Sequence, residues 1–142
     1  MFFVGRKERM AINMEEHRLP HDHGETTENI VKHLPDTEKF AVIAEIFRQL
    51  GDISRIRIFW MLCHCEECVI NLSAAMEMTS PAISHHLKQL KTAGLIISRR
   101  EGKEVYYKAA DNERVKVLHD MIEIFLAITC PADQSSRKLT IN

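Results

Sequence analysis

The chain has 142 residues, 45% of them apolar, with 19 Lys and Arg against 20 Asp and Glu for a formal net charge of -1. That length suits one domain around one modest core, often completed by dimerisation. No apolar run approaches the roughly 20 residues of a membrane span, and Met1-Phe2-Phe3-Val4 runs straight into Arg6-Lys7-Glu8-Arg9, so a soluble, cytoplasmic, unsecreted protein is expected.

The near-neutral total hides a local bias. Residues 85–108 hold six Lys or Arg against two Glu, plus two His, whereas residues 1–50 hold nine acids against seven bases. A basic stripe of this kind neutralises phosphates, which points to double-stranded DNA as a partner. Four cysteines at irregular spacing, three of them crowded together, suit thiolate ligation in a reducing compartment better than a disulfide framework.

In chain order, residues 1–24 lack helical periodicity and carry His17, Pro20, His21, His23 and Gly24, which reads as a flexible His-bearing arm; Met10 and Met14 are alternative starts. Residues 25–130 form the expected domain. Ile30, Val31 and Leu34 suggest a short helix ended by Pro35, with Asp36 able to cap the next. Phe40, Ile43, Ala44, Phe47 and Leu50 repeat at helical spacing up to Gly51, as a core or dimer-forming helix does. Asp52 caps a helix whose apolar face is expected to hold Ile53, Ile56, Phe59, Trp60 and Cys63. A short helix through Leu72, Ala75 and Met76 follows, then a turn at Met78-Thr79. Ser80 or Thr79 caps the next helix and Pro81 starts it. There Ile83, Leu87 and Leu90 sit at i, i+4 and i+7 and face inward, leaving Ser84, His85, Lys88 and Lys91 outward.

Residues 95–100 and 105–108 are β-prone stretches joined by Glu101-Gly102-Lys103-Glu104, a hairpin with a charged tip. Asp111 is expected to cap a last amphipathic helix with Val115, Leu118, Ile122, Phe125 and Leu126 along one side, ended by Cys130-Pro131; residues 131–142 read as a disordered tail. The fold class is therefore mainly α with a small β-hairpin, a winged helix-turn-helix that dimerises through its N- and C-terminal helices.

Two chemistries adjoin. Cys63-His64-Cys65-Glu66-Glu67-Cys68 lies directly ahead of the helix-turn-helix pattern. Its thiols converge on one ion only if the chain leaves the helix around Cys65, because residues two apart on a helix point about 200° away from each other. Three thiolates suit arsenite, lead or cadmium; thiolates with one or two imidazoles suit zinc or cadmium. His64, set between two candidate ligands, is able to bind but reads first as an exposed residue; His119 and His33 read as ordinary surface or partly buried residues and Cys130 as a packing residue. On the DNA side, Ser80, Ser84, His85 and Lys88 are placed to meet the major groove and His86 to pack. Arg99, Arg100 and Lys103 on the wing are placed to meet phosphates or the minor groove.

The segments Leu50 to Ile58, Cys68-Val69, Ser84 to Leu90, Ala93 to Ile96 and Arg99 to Tyr107 together resemble the arsenic-resistance and metallothionein repressor family of bacterial metalloregulators (ArsR/SmtB), over roughly residues 40–128. The resemblance implies a homodimeric repressor that releases its operator when metal binds. Thiolate sensors of the family use a Cys-Val motif at the start of the first DNA-unit helix, matched by Cys68-Val69. The second cysteine many of them carry two residues later is Ile70 here, which leaves Cys63 and Cys65 to compensate from the preceding helix end. In several relatives an N-terminal arm adds ligands from the other protomer, the part the resemblance implies for His17, His21 and His23. A further family site on the last helix is implied to be absent: Asp111 and Glu113 stand at its first pair, but Ile124 and Ala127 at the later positions. A redox or reactive-sulfur sensor of the same fold is the alternative. An enzyme is not expected, since no His-Glu-x-x-His, Gly-x-Ser-x-Gly or phosphate-loop pattern is present.

Overall fold

The computed structural model describes residues 19–21 and 23–129; His17, Cys130 and residues 131–142 lie outside them. The chain divides into two units, between Phe40 and Ala41. In the first, α1 (Glu25–Lys32) carries Glu25 and Glu28 in its first turn and Lys32 in its last, the charge order that suits a helix dipole, and it buries none of its residues. The next helix, α2 (Thr37–Leu50), runs across the division and buries Ile46, Gln49 and Leu50 near its end.

The second unit holds the core. α3 (Ile53–His64) starts where Asp52 accepts the Arg55 backbone N–H at 2.9 Å. Its buried stripe is Ile58, Phe59 and Leu62, and Ile53 is 78% exposed. Of the apolar face expected from Ile53 onward, Phe59 is buried and Ile56, Trp60 and Cys63 pack against the core, while Ile53 is left outside and Ile58 and Leu62 widen the buried side.

A two-residue strand, β1 (Glu67–Cys68), leads into α4 (Val69–Met76), and α5 (Ser80–Thr92) completes the helix-turn-helix. Thr79, not Ser80, caps α5, accepting the Ala82 N–H at 3.3 Å. At the far end Gly94 has φ 75°, which allows Leu95 N–H to reach back to Leu90 O at 3.0 Å and stop the helix. The hairpin is β2 (Ile96–Glu101) and β3 (Glu104–Ala109), closed by Gly102 at φ 62° and Lys103. β1 adds to it, giving a three-stranded antiparallel sheet in the order β1-β3-β2, with Glu67 opposite Tyr107 and Cys68 opposite Tyr106.

The last helix is α6 (Glu113–Thr129). Asn112 rather than Asp111 caps it, accepting the Val115 N–H at 3.0 Å, while Asp111 pairs with Lys116. The helix buries Val115, Leu118 and Ile122 in the common core with Phe59, Leu72, Ile83, Leu87 and Leu90. Two helices packed on each other, a third behind them and a hairpin alongside form a winged helix-turn-helix.

Candidate metal centre and nucleic-acid interface

The chain does leave the helix at Cys65: its backbone is extended, with φ -151° and ψ 165°, and its N–H makes the last turn's bond to Met61 O at 3.0 Å. Cys63 and Cys65 line one open cavity of about 350 Å³ with His64, Lys108, Asp111 and His119. Cys63 is half-buried, and burial, aided by the Glu123 charge, pushes its thiol up to about 12. Cys65 is exposed and its thiol donates to Met61 O at 3.3 Å; burial of the sulfur and then Glu67 raise it as well. Cys68 is buried where β1 passes into α4. Cys63, Cys65 and Cys68 do not gather into a ligand trio, and His21 and His23, with rings 6.0 Å apart, belong to the first unit.

The trio that does form among the described residues is His64, His119 and Glu123, with one ligand atom from each lying within 4.8 Å of the others. His64 is the last residue of α3, and His119 and Glu123 are one turn apart on α6, so they share a face. His119 Nε2 lies 3.0 Å from His64 Nε2 and 3.2 Å from Glu123 Oε1, and His64 Nε2 lies 3.3 Å from the same oxygen. Trp60 donates its indole N–H to that oxygen at 2.7 Å, and its ring packs 4.4 Å from the His64 ring. The Trp60 and His64 hydrogen bonds and the histidine charges hold the Glu123 carboxyl below the usual carboxylate range, against the opposing effect of burial, which is the largest single contribution.

His64 was legible only as a neighbour of the candidate cysteine ligands, and His119 not as a ligand at all. The His-x-x-x-Glu spacing at 119 and 123 was the available signal, but its partner is 55 residues away and only chain folding brings it near.

α5 presents Ser84, His85 and Lys88 to solvent because Ile83, Leu87 and Leu90 are buried to within 1%. Ser80 is exposed and shares a 3.1 Å hydrogen bond with Ser73, tying α4 to α5. On the wing, Arg99 is engaged: its guanidinium donates to Glu66 at 2.7 Å and to Glu101 at 2.6 Å and lies 5.0 Å over the Tyr106 ring. Arg100 reaches only Gly102 O, at 3.3 Å, and stays exposed with Lys103. The bonds from Arg99 lower the Glu66 carboxyl and raise the guanidinium in turn.

Residues 52–98 match the profile described as "Bacterial regulatory protein, arsR family". The chain is 38% identical over 81 residues to a transcriptional repressor SmtB homolog of Synechocystis, covering 57% of this chain and 61% of that one. It is 34% identical over 83 residues to the arsenic resistance transcriptional regulator ArsR2 of Pseudomonas putida, covering 58% and 71%. The chain thus spans less than two thirds of the length of some of the curated relatives it matches. Among solved structures it is similar to the homodimeric winged helix-turn-helix DNA-binding domain Mb0332 of Mycobacterium bovis, with TM-score 0.58 and 27% identity over 68% of this chain and 91% of that one.

Proposed function

The chain belongs to the arsR family of bacterial regulatory proteins, and from that premise we propose that it is a metal-responsive, DNA-binding transcriptional repressor acting as a cytoplasmic homodimer. The names of its relatives, repressors and an arsenic-resistance regulator, support repression and a metal or metalloid inducer over enzymatic work. No helix among the described residues is long and apolar enough to cross a membrane.

A second copy supplies what α2 and α6 lack. Val42, Ile43 and Phe47 on α2 and Ile124, Phe125, Leu126 and Ile128 on α6 are between 44% and 70% exposed, an apolar surface that water leaves unsatisfied. Between them lies an apolar cavity of about 530 Å³ walled by Phe47, Met121, Phe125 and Leu126. Pairing through these helices sets two α5 helices side by side, the arrangement that reads an inverted repeat. Ser84, His85 and Lys88 then enter the major groove, where hydroxyl, imidazole and ammonium groups meet base edges and phosphates. Ser80, Arg100 and Lys103 hold the backbone, joined by Arg99 when it is released from its two carboxylates.

One observation carries the inducer reading: Cys65–Cys68 is at once the exit from α3, the edge strand of the wing and the entrance to α4. Drawing Cys63, Cys65 and Cys68 onto a cadmium, lead, zinc or arsenite centre, with imidazoles of His17, His21 and His23 completing the shell for zinc or cadmium, pulls on β1. Its partners Tyr106 and Tyr107 and the Glu66–Arg99 pair pass that movement to the wing. Allosteric couplings run to about 1–3 kcal/mol, and a switch from 1:99 to 99:1 needs about 5.5, so two sites per dimer supply the difference.

Anisotropy titrations on promoter DNA with and without cadmium, lead, zinc and arsenite test this. At least one ion weakens binding about tenfold or more if the reading holds; if none does, metal sensing fails while DNA binding stands. A thiol-redox sensor of the same fold is the alternative reading; the raised Cys63 and Cys65 thiols weigh on both, since oxidation and metal ligation alike need the thiolate, whereas the names of the relatives favour metal. Mass spectrometry of oxidant-treated protein separates the two.

A further inference from the structure

We propose that His64, His119 and Glu123 form a binding site for a borderline divalent cation of the zinc class, distinct from the cysteine thiols, that fastens α3 to α6. The three ligand atoms make a triangle of 3.0, 3.2 and 3.3 Å. Metal–nitrogen distances of roughly 2.0–2.1 Å in a tetrahedral shell separate neighbouring ligands by about 3.3 Å, so the triangle is one face of such a shell with little adjustment. The donor set is two imidazoles and a carboxylate, which favours zinc, cobalt or nickel and gives arsenite or lead, both thiolate-seeking, no foothold.

Hydrogen bonds alone fill the cluster poorly. Two Nε2 atoms 3.0 Å apart have room for one proton between them, not two, and the Glu123 oxygen both nitrogens approach already accepts the Trp60 N–H. A single cation serves all three acceptors at once. Trp60 acts as the outer partner that orients a ligating carboxylate, as hydrogen bonds from beyond the first ring of ligands do in metal sites generally. His64 and His119 also wall the open cavity, which leaves a fourth position for water or an exchangeable ligand.

The consequence is regulatory. α3 opens the DNA-reading half and α6 carries the dimer face, so a cation joining them restricts how α5 sits relative to the second copy. That effect rests on the repressor reading above; the cation site itself does not.

The experiment uses the full chain with Cys63, Cys65 and Cys68 all changed to Ser, titrated with cobalt(II) and followed by visible absorption and by the fluorescence of Trp60, the chain's single tryptophan. Expected are one cobalt per chain with intense ligand-field bands, no thiolate charge-transfer band, quenching of Trp60 and displacement by zinc. Adding His119→Gln or His64→Gln to this background lowers cobalt affinity about 100-fold, and Glu123→Gln, which can still accept from Trp60, lowers it about tenfold, with the circular dichroism of the parent retained. Failure of the triple-Ser protein to bind cobalt or zinc overturns the proposal, as does unchanged affinity in the His119→Gln variant. Release of promoter DNA by cadmium in the unaltered protein is scored separately, so loss of the thiolate reading and loss of this one are told apart.

Discussion

Replacing Phe125 by Ala should split the dimer while leaving the folded unit intact. Phe125 is 59% exposed in the single chain, so most of its ring contributes nothing to the core of its own protomer. Full burial of a phenylalanine is worth about 1.5–3 kcal/mol, and the exposed fraction scales this to about 0.9–1.8 kcal/mol per ring. Two-fold symmetry places the change on both sides of the interface, for a loss of about 2–3.5 kcal/mol, or a dimer Kd weakened about 30- to 400-fold. Sedimentation across a concentration series reads the Kd directly, and promoter affinity should fall with it because one α5 helix holds half a site. Chemical denaturation of the monomer should move far less than the Kd does. An unchanged sedimentation profile would refute the assignment of the α2 and α6 apolar surface to a second copy.

Other outcomes follow from particular residues. Glu77 ends α4 with φ 54°, a left-handed backbone that costs a side chain about 1–2 kcal/mol, so Glu77→Gly should raise the urea midpoint despite removing a charge. Lys88→Ala should lower DNA affinity for all sequences alike and reduce the slope of log K against log salt by about one, if the ammonium sits on a phosphate. Cys63 keeps its proton up to about 12 through burial and the Glu123 charge, so cadmium binding that engages it should release a proton and tighten with rising pH, measured in weakly buffered titrations. The same raised thiol stabilises the fold below the ordinary cysteine range, and that contribution should be lost as pH climbs from there towards 12, seen as a falling thermal midpoint.

Ile83, Leu87 and Leu90 were legible as the inward face of α5 from spacing alone, and with them Ser84, His85 and Lys88 as the outward face, because a helix maps position onto direction with a fixed period. The hairpin was legible for the same kind of reason, its turn residues being local. Capping at Asp52 and the exit from α3 at Cys65 also depend on neighbours in the chain. By contrast, β1 is two residues long and exists as a strand only because β3 lies beside it, and Asn112 displaced Asp111 as the cap by where α6 begins its packing. Which side of α3 is buried was settled by the helices it meets, leaving Ile53 outside. The meeting of His64, His119 and Glu123 belongs wholly to the tertiary structure: periodicity orders residues along one element, whereas a ligand triangle spanning 59 positions requires the core to hold two helices at a set distance.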